Sequence, residues 1–124
     1  MRQGWQPHHA RQLAAAGHRA GQVLVIDESG VTPLTHYPYH TRGGFDWGHS
    51  GAGPADLARC ILLDHYAVQP VRSGRLYPPA HSELPVRYED FKHDVISRLP
   101  RGQDWSLTSD QIDAWAHGMA HGRR

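Results

Sequence analysis

The stretch from Gly43 to Tyr66, GGFDWGHSGAGPADLARCILLDHY, joins a glycine-rich loop to an apolar helical pattern. Five glycines and Pro54 lie in its first half, around the aromatic residues Phe45 and Trp47. Proline is favoured at the start of a helix, and the apolar residues that follow recur at the spacing of one helical face. The stretch therefore predicts a helix over residues 54–66 that opens from a tight loop.

A β-hairpin is predicted upstream of this stretch. Val23–Ile26 is an apolar, mostly β-branched run, residues 27–30 carry a turn signal, and Val31–Thr35 is a second extended run. Proline cannot donate a ladder hydrogen bond, so Pro33 is typical of an edge strand.

Two more helices are predicted downstream. Apolar residues at the spacing of one helical face predict a helix over residues 87–99, which the following proline ends. Thr108 and Gln111 have the spacing of a capping box, which predicts a helix over residues 108–117. We expect residues 118–124 to form a frayed tail.

A length of 124 residues indicates a single domain, residues 1–124. The alanine-rich run at residues 6–16 predicts a short helix, so we expect residues 1–19 to carry a loosely attached N-terminal helix. The fold class expected is α+β: a small antiparallel N-terminal sheet packed by about three helices near residues 54–66, 87–99 and 108–117.

Composition excludes several classes of protein. The net charge is +1, with 13 basic and 12 acidic residues, which is far from the strongly basic balance of a typical nucleic-acid-binding domain. The single cysteine, Cys60, cannot form an intrachain disulfide and lies in an apolar helical pattern, where we expect a buried thiol. No run approaches the roughly 18 apolar residues of a membrane span, and the N-terminus lacks a secretory pattern. These features favour a cytoplasmic protein without a membrane partner.

The glycine loop and the segments after it resemble a family of small uncharacterised bacterial, phage and plasmid proteins, a domain of unknown function. The resemblance covers roughly residues 20 to 116 and rests on an F-x-W-G-x-x-G-x-G-P-A signature that joins a loop to a helix. The chain supplies the later positions of the pattern in order: Asp64, Tyr88, Phe91, Leu99-Pro100, Trp105, Leu107, Ile112 and Trp115. It departs from the family at His49, Ser50 and Ala52, so the hydroxyl that the family has at position 52 is absent. The resemblance implies a mobile genetic element as the context and brings no assigned activity.

The loop offers two catalytic hypotheses. Residues 48–52, GHSGA, imitate a nucleophile elbow, but the preceding run is a poor strand, so we expect Ser50 not to be a nucleophile. The alternative function is a small ligand- or phosphate-binding enzyme, in which backbone N–H groups near Gly51 and Gly53 bind an anion at the helix start. In that enzyme His49 would be the base or electrophile, helped by Asp46 and His65.

Eleven histidines suggest metal binding, but none of them has a recognised ligand spacing. The candidate groups are His36 with His40, Asp90 with His93 and Asp94, and His117 with His121. We expect solvated surface histidines, no metal site and no cofactor.

The leading prediction is a small non-enzymatic accessory protein of a mobile genetic element. It would bind a macromolecule, for which a protein is the favoured class and a nucleic acid the other. It could inhibit a bacterial defence system in the manner of an anti-CRISPR protein. Tryptophan, tyrosine and arginine dominate interface hot spots, and arginines could instead contact a nucleic-acid backbone. The candidate binding residues are Phe45, Trp47, His49, Ser50, Gly51, Gly53, Arg72 and Arg75.

Overall fold

The computed structural model describes residues 11–15, 22–70 and 79–120. A four-stranded antiparallel sheet forms one layer of it. The strands are β1 (Gln12–Ala15), β2 (Val23–Asp27), β3 (Gly30–Pro33) and β4 (Ser106–Thr108). Their spatial order is β3-β2-β1-β4, so the last strand of the sheet pairs with the first one in sequence.

Three α-helices and two short 3-10 turns follow or interrupt the strands. The helices are α1 (Ala52–His65), α2 (Tyr88–Asp94) and α3 (Ser109–Ala120), and the 3-10 turns are Ala80–Glu83 and Ile96–Arg98. A small N-terminal sheet and three helices confirm the predicted α+β class. Among the described residues, no helix has the length and apolar character that crossing a bilayer requires.

One face of the sheet supplies apolar side chains to the core. Leu13 of β1 lies opposite Val25 of β2 on one side and Leu107 of β4 on the other. All three are buried, and they share one apolar cluster with the middle of α1. Because side chains alternate along a strand, this register fixes which residues of each strand face the helices.

Helix α1 lies at the centre of the molecule. Every residue from Pro54 to Leu63 is buried, so this helix has no solvated face along its middle. Two of these buried residues, Asp56 and Arg59, are charged. A helix buried on all sides is normally apolar all round, so these two charges need specific partners inside the protein.

The hairpin and the capping box are confirmed. Strands β2 and β3 pair with Asp27 opposite Gly30, and Pro33 lies in an edge strand as predicted. The backbone N–H of Thr108 donates to Gln111 Oε1 at 2.8 Å, and the N–H of Gln111 donates to Thr108 Oγ1 at 3.1 Å. Thr108 is also the last residue of β4, so the sheet passes directly into α3.

Three predicted elements are wrong in part. Residues 12–15 form a strand rather than part of a helix over 6–16, because pairing with β2 and β4 outweighs the helix propensity of alanine. The rest of the predicted N-terminal helix lies outside the described residues. The helix predicted over 87–99 ends at Asp94, since Val95 leaves helical geometry before a 3-10 turn. Residues 118–120, predicted to be frayed, continue α3, and residues 121–124 lie outside the described part.

Candidate functional site

The glycine loop surrounds a buried tryptophan. Trp47 is 6% exposed, its ring lies 5.7 Å from that of Trp105, and its Nε1–H donates to the carbonyl of Gln103 at 3.2 Å. Phe45 is also buried, with its ring 4.6 Å from that of His36. Trp47 therefore lies in the core. The predicted partner-binding role of Phe45 and Trp47 needs correction, because both side chains lie in the core.

Close backbone approach explains two glycines of the loop. Gly48 has a φ of +83°, and a Cβ there would lie 2.7 Å from the Cα of Arg101. A Cβ at Gly53 would lie 2.8 Å from the Cβ of Asp46. Both distances are shorter than real side chains tolerate, so these positions need glycine for packing whether or not the loop binds an anion.

His49 and Asp46 form a local pair within the loop. His49 Nε2 lies 2.8 Å from Asp46 Oδ2, and the backbone N–H of Gly51 donates to His49 Nδ1 at 3.2 Å. Since Nδ1 accepts a hydrogen bond, the ring proton lies on Nε2 and is donated to the carboxylate. Burial opposes ionisation of Asp46, but the hydrogen bonds from His49 and from the backbone of Trp47 outweigh it and lower the pKa of Asp46.

This arrangement leaves neither ring nitrogen of His49 free to act as a base. The predicted helper Asp46 does lie against His49, whereas His65 lies at the opposite end of α1. There His65 Nε2 lies 2.7 Å from Asp113 Oδ1 of α3. The three residues of the proposed enzyme site are therefore not brought together.

Ser50 and Gly51 lie at the exposed start of α1. Within the described residues the Ser50 hydroxyl makes no hydrogen bond, and its carbonyl accepts one from Lys92 Nζ at 3.3 Å. Gly51 is the N-cap residue and provides no side-chain cap. Within the part of the chain that the structure describes, no base contacts Ser50 to activate it.

The carboxylate of Asp56 organises the loop that precedes the glycines. It is fully buried and accepts four hydrogen bonds, which together we call the Asp56 hub. The donors are His36 Nε2 at 2.8 Å and the backbone N–H groups of Tyr39 at 3.1 Å, His40 at 2.8 Å and Thr41 at 3.3 Å. Burial would raise the pKa of Asp56, but these hydrogen bonds outweigh that effect and lower it.

A second group of side chains lies beside the hub, and we call it the Arg59 cluster. Its members are Arg59, Tyr39, His40, His81 and Tyr88. Arg59 is 5% exposed and lies 4.7 Å from the centre of the Tyr39 ring, a cation–π contact. Arg59 Nε donates to His81 Nδ1 at 3.0 Å, and Arg59 Nη1 donates to the carbonyl of Tyr37 at 2.9 Å.

The rings of the Arg59 cluster support one another. The Tyr39 and Tyr88 rings lie 4.8 Å and 4.9 Å from that of His81, and His40 Nε2 lies 2.7 Å from the Tyr88 hydroxyl. Burial, followed by the nearby Arg59 charge, lowers the pKa of His81. Burial is also the main reason that the pKa of Tyr88 rises to about 12. Arg59 is thus the permanent cation of this cluster, and the neutral forms of the His81 and Tyr88 rings beside it are favoured.

Other predicted site residues lie elsewhere. Arg72 and Arg75 lie outside the described residues. His36 and His40, one predicted metal pair, contact the Asp56 carboxylate and the Tyr88 hydroxyl. Within the described residues, no three histidine, cysteine or acidic side chains gather in a metal-binding group.

A cavity of about 310 Å³ lies between the β2–β3 hairpin and the C-terminal half of α1. Its lining includes Arg11, Leu34, Cys60 and Asp64, and does not include His49. Burial raises the pKa of the Cys60 thiol to about 11, so this thiol is not a nucleophile at neutral pH. The cavity thus belongs to a different part of the protein from the glycine loop.

Sequence reasoning missed Asp56 and Arg59. Neither residue was singled out as a candidate site residue. The available signal was two charged residues inside an apolar helical run, ADLARCILL, at a spacing of three residues. Such charges are rarely buried unless they are paired, so their position in that pattern marks them as candidates.

Searches of curated proteins and of solved structures gave no match. The model of a protein family, described as "Family of unknown function (DUF6166)", matches residues 15–118. That range includes the glycine loop, the Asp56 hub and the Arg59 cluster. Because the match spans most of the chain, this chain belongs to DUF6166, a family of unknown function.

Proposed function

We propose that this chain is a non-enzymatic binding protein, that its partner is another protein, and that the Arg59 cluster is the centre of its contact surface. The observation that carries the proposal is Tyr39, which is 51% exposed although it stacks on a buried arginine. Large exposed aromatic residues beside arginine are typical of interface hot spots.

The surface is preorganised, which supports a binding role. Backbone N–H groups on both sides of the Tyr39 side chain are fixed by the Asp56 hub. The ring itself packs against Arg59 and His81. A side chain that is already ordered loses little conformational entropy on binding, so more of its contact energy contributes to affinity.

The chemistry of the other candidates favours binding over catalysis. His49 uses both ring nitrogens within its own loop, Ser50 has no base among the described residues, and the Cys60 thiol is buried. The same proposal extends to the context that the family resemblance implies. There the protein would be an accessory protein of a mobile genetic element that inhibits a bacterial defence system by binding one of its proteins.

A site-specific photocrosslinking experiment tests the proposal. A photoreactive phenylalanine analogue would replace Glu83, an exposed residue of the 3-10 turn that holds His81. The control carries the analogue at Asp110, an exposed residue of α3. We expect a discrete protein adduct in lysate of the source cells from position 83 and not from position 110. Unlabelled wild-type protein should compete with this adduct, whereas unlabelled Tyr39→Ala should not.

Two outcomes would contradict the proposal. Adducts that disappear on nuclease treatment would identify a nucleic acid as the partner. Equal adduct patterns from positions 83 and 110, or equal competition by wild type and Tyr39→Ala, would show that the Arg59 cluster is not the contact surface.

A further inference from the structure

The positive charge of Arg59 is buried without a counter-ion. Among the described residues its guanidinium forms no ion pair with a carboxylate. All 12 Asp and Glu residues of the chain lie in the described ranges, so no acidic side chain elsewhere in the chain can provide the missing partner. Buried charges in proteins are normally paired, because an unpaired one loses its hydration without compensation.

Two of the three guanidinium nitrogens of Arg59 donate hydrogen bonds to the described residues. Nε donates to His81 and Nη1 donates to the Tyr37 carbonyl. Nη2 has no acceptor among the described residues, yet it is not one of the atoms fully shielded from solvent. Arg59, which is 5% exposed, therefore keeps one charged donor that no acceptor among the described residues satisfies.

His81 provides a second donor beside it. Since its Nδ1 accepts from Arg59, the proton of the neutral ring lies on Nε2. His81 Nε2 likewise has no acceptor among the described residues and is not fully shielded. Tyr39 and Tyr88, both within 5 Å of His81, frame the two donors with apolar ring surface.

We propose that Arg59 Nη2 and His81 Nε2–H bind a carboxylate, the side chain of an aspartate or glutamate on the protein partner. The inference rests on the proposed function, because it names the group of that partner that the Arg59 cluster recognises. A charge-assisted hydrogen bond from a guanidinium to a carboxylate is among the stronger polar contacts in proteins. The carboxylate supplies the counter-ion that Arg59 lacks within its own chain.

Charge favours a single carboxylate over a nucleic-acid backbone. Arg59 is the permanent positive charge of the cluster, and burial and Arg59 lower the pKa of His81. The carboxylate of Glu89 acts on His81 from the α2 side. A row of phosphates is normally bound by several cationic side chains, whereas a single carboxylate needs only the one cation.

The test uses sodium acetate as the probe. Acetate is titrated into the full chain at constant ionic strength with sodium chloride, and the Arg59 Nε–H and His81 ring ¹⁵N signals are followed by NMR. We expect saturable shifts at both residues. Arg59→Gln should weaken acetate binding at His81 by about tenfold or more, since the charged donor is lost. Arg87→Gln, which removes an exposed arginine, should leave it unchanged.

A second variant, His81→Phe, tests the inference even if Arg59→Gln does not fold. It keeps a ring at the half-buried position and should weaken the acetate response of Arg59 several-fold. Linear shifts without saturation, or an unchanged response in the folded variants, would overturn the inference. Inorganic phosphate that binds tenfold more tightly than acetate would also overturn the carboxylate assignment.

The outcome is separable from the proposed function. A protein adduct at position 83 without an acetate response would support the contact surface and refute the carboxylate as the group that it recognises. Saturable acetate binding without a protein adduct would support the anion site and refute the protein partner.

Discussion

Replacing Asp56 with asparagine removes the charge from the Asp56 hub while the side chain keeps its size. An amide has one acceptor oxygen, and its NH₂ group would face donors, so at most part of the four hydrogen bonds survives. The hydrogen bond from His36 Nε2, at 2.8 Å, loses its charged acceptor as well. A buried donor that loses its acceptor costs about 1–3 kcal/mol, and at least two of the four donors would lose theirs, so we expect Asp56→Asn to lower the unfolding free energy by about 3–5 kcal/mol.

The expected change in melting temperature follows from the size of the chain. Unfolding entropy is about 2.1 cal/mol/K per residue near 60 °C, so for 124 residues this loss lowers the midpoint by about 10–20 °C. Differential scanning calorimetry measures it. The matched control is Asp64→Asn on the same helix, whose carboxylate is 27% exposed and accepts from Arg11 at 3.0 Å. A partly exposed pair contributes about 0–1 kcal/mol, so this control should stay near wild type.

The pH dependence gives the same prediction a second readout. Asp56 has a pKa below its usual 3.8 in the folded state. Its contribution is therefore complete above pH 3.8 and is lost as the pH falls through the lower folded-state value. The stability difference between wild type and Asp56→Asn should shrink in that acid range. Equal loss of stability in Asp56→Asn and Asp64→Asn at pH 7 would refute the claim that the hub holds the loop.

Three further predictions concern single positions. Trp47→Ala should lower the unfolding free energy by about 3–5 kcal/mol, as for other buried aromatics, whereas Val31→Ala at a 59% exposed position should not. An unchanged midpoint for Trp47→Ala in chemical denaturation would contradict its place in the core. Because its thiol is buried, Cys60 should resist a disulfide reagent at pH 8 in the native protein and react fully in guanidinium chloride. Reaction of the native protein at the rate of a free thiol would argue against that burial. Ser50 should not be labelled by a fluorophosphonate probe, since no base contacts it among the described residues, and covalent labelling seen by mass spectrometry would revive the hydrolase hypothesis.

Elements specified by neighbouring residues could be predicted from the sequence. The β2–β3 turn and the capping box of Thr108 and Gln111 depend on contacts within three or four residues, and both were found. The apolar spacing in α1 depends only on the helical period, and the helix lies within two residues of the predicted bounds. Local chemistry was sufficient in each case.

Elements specified by distant residues could not be predicted in the same way. Strand β1 exists because Leu13 pairs with Val25 and Leu107, which lie 12 and 94 residues away. The hub joins Asp56 to backbone groups 15 to 17 residues upstream, and no side-chain pattern encodes a backbone donor. The role of Arg59 depends on His81, 22 residues later. Propensity and periodicity do not reach across such separations.

The strand order β3-β2-β1-β4 has a consequence for how the chain folds during its synthesis. The hairpin and β1 leave the ribosome early, but residues 106–108, which cover the other edge of β1, leave after some 90 further residues. Through that interval the edge of β1 presents unpaired N–H and C=O groups, which other chains can pair with. Closing the sheet also requires a long-range loop closure, which slows folding. Truncated chains that stop before residue 106 cannot cover this edge of β1. They should therefore aggregate more readily than the full chain.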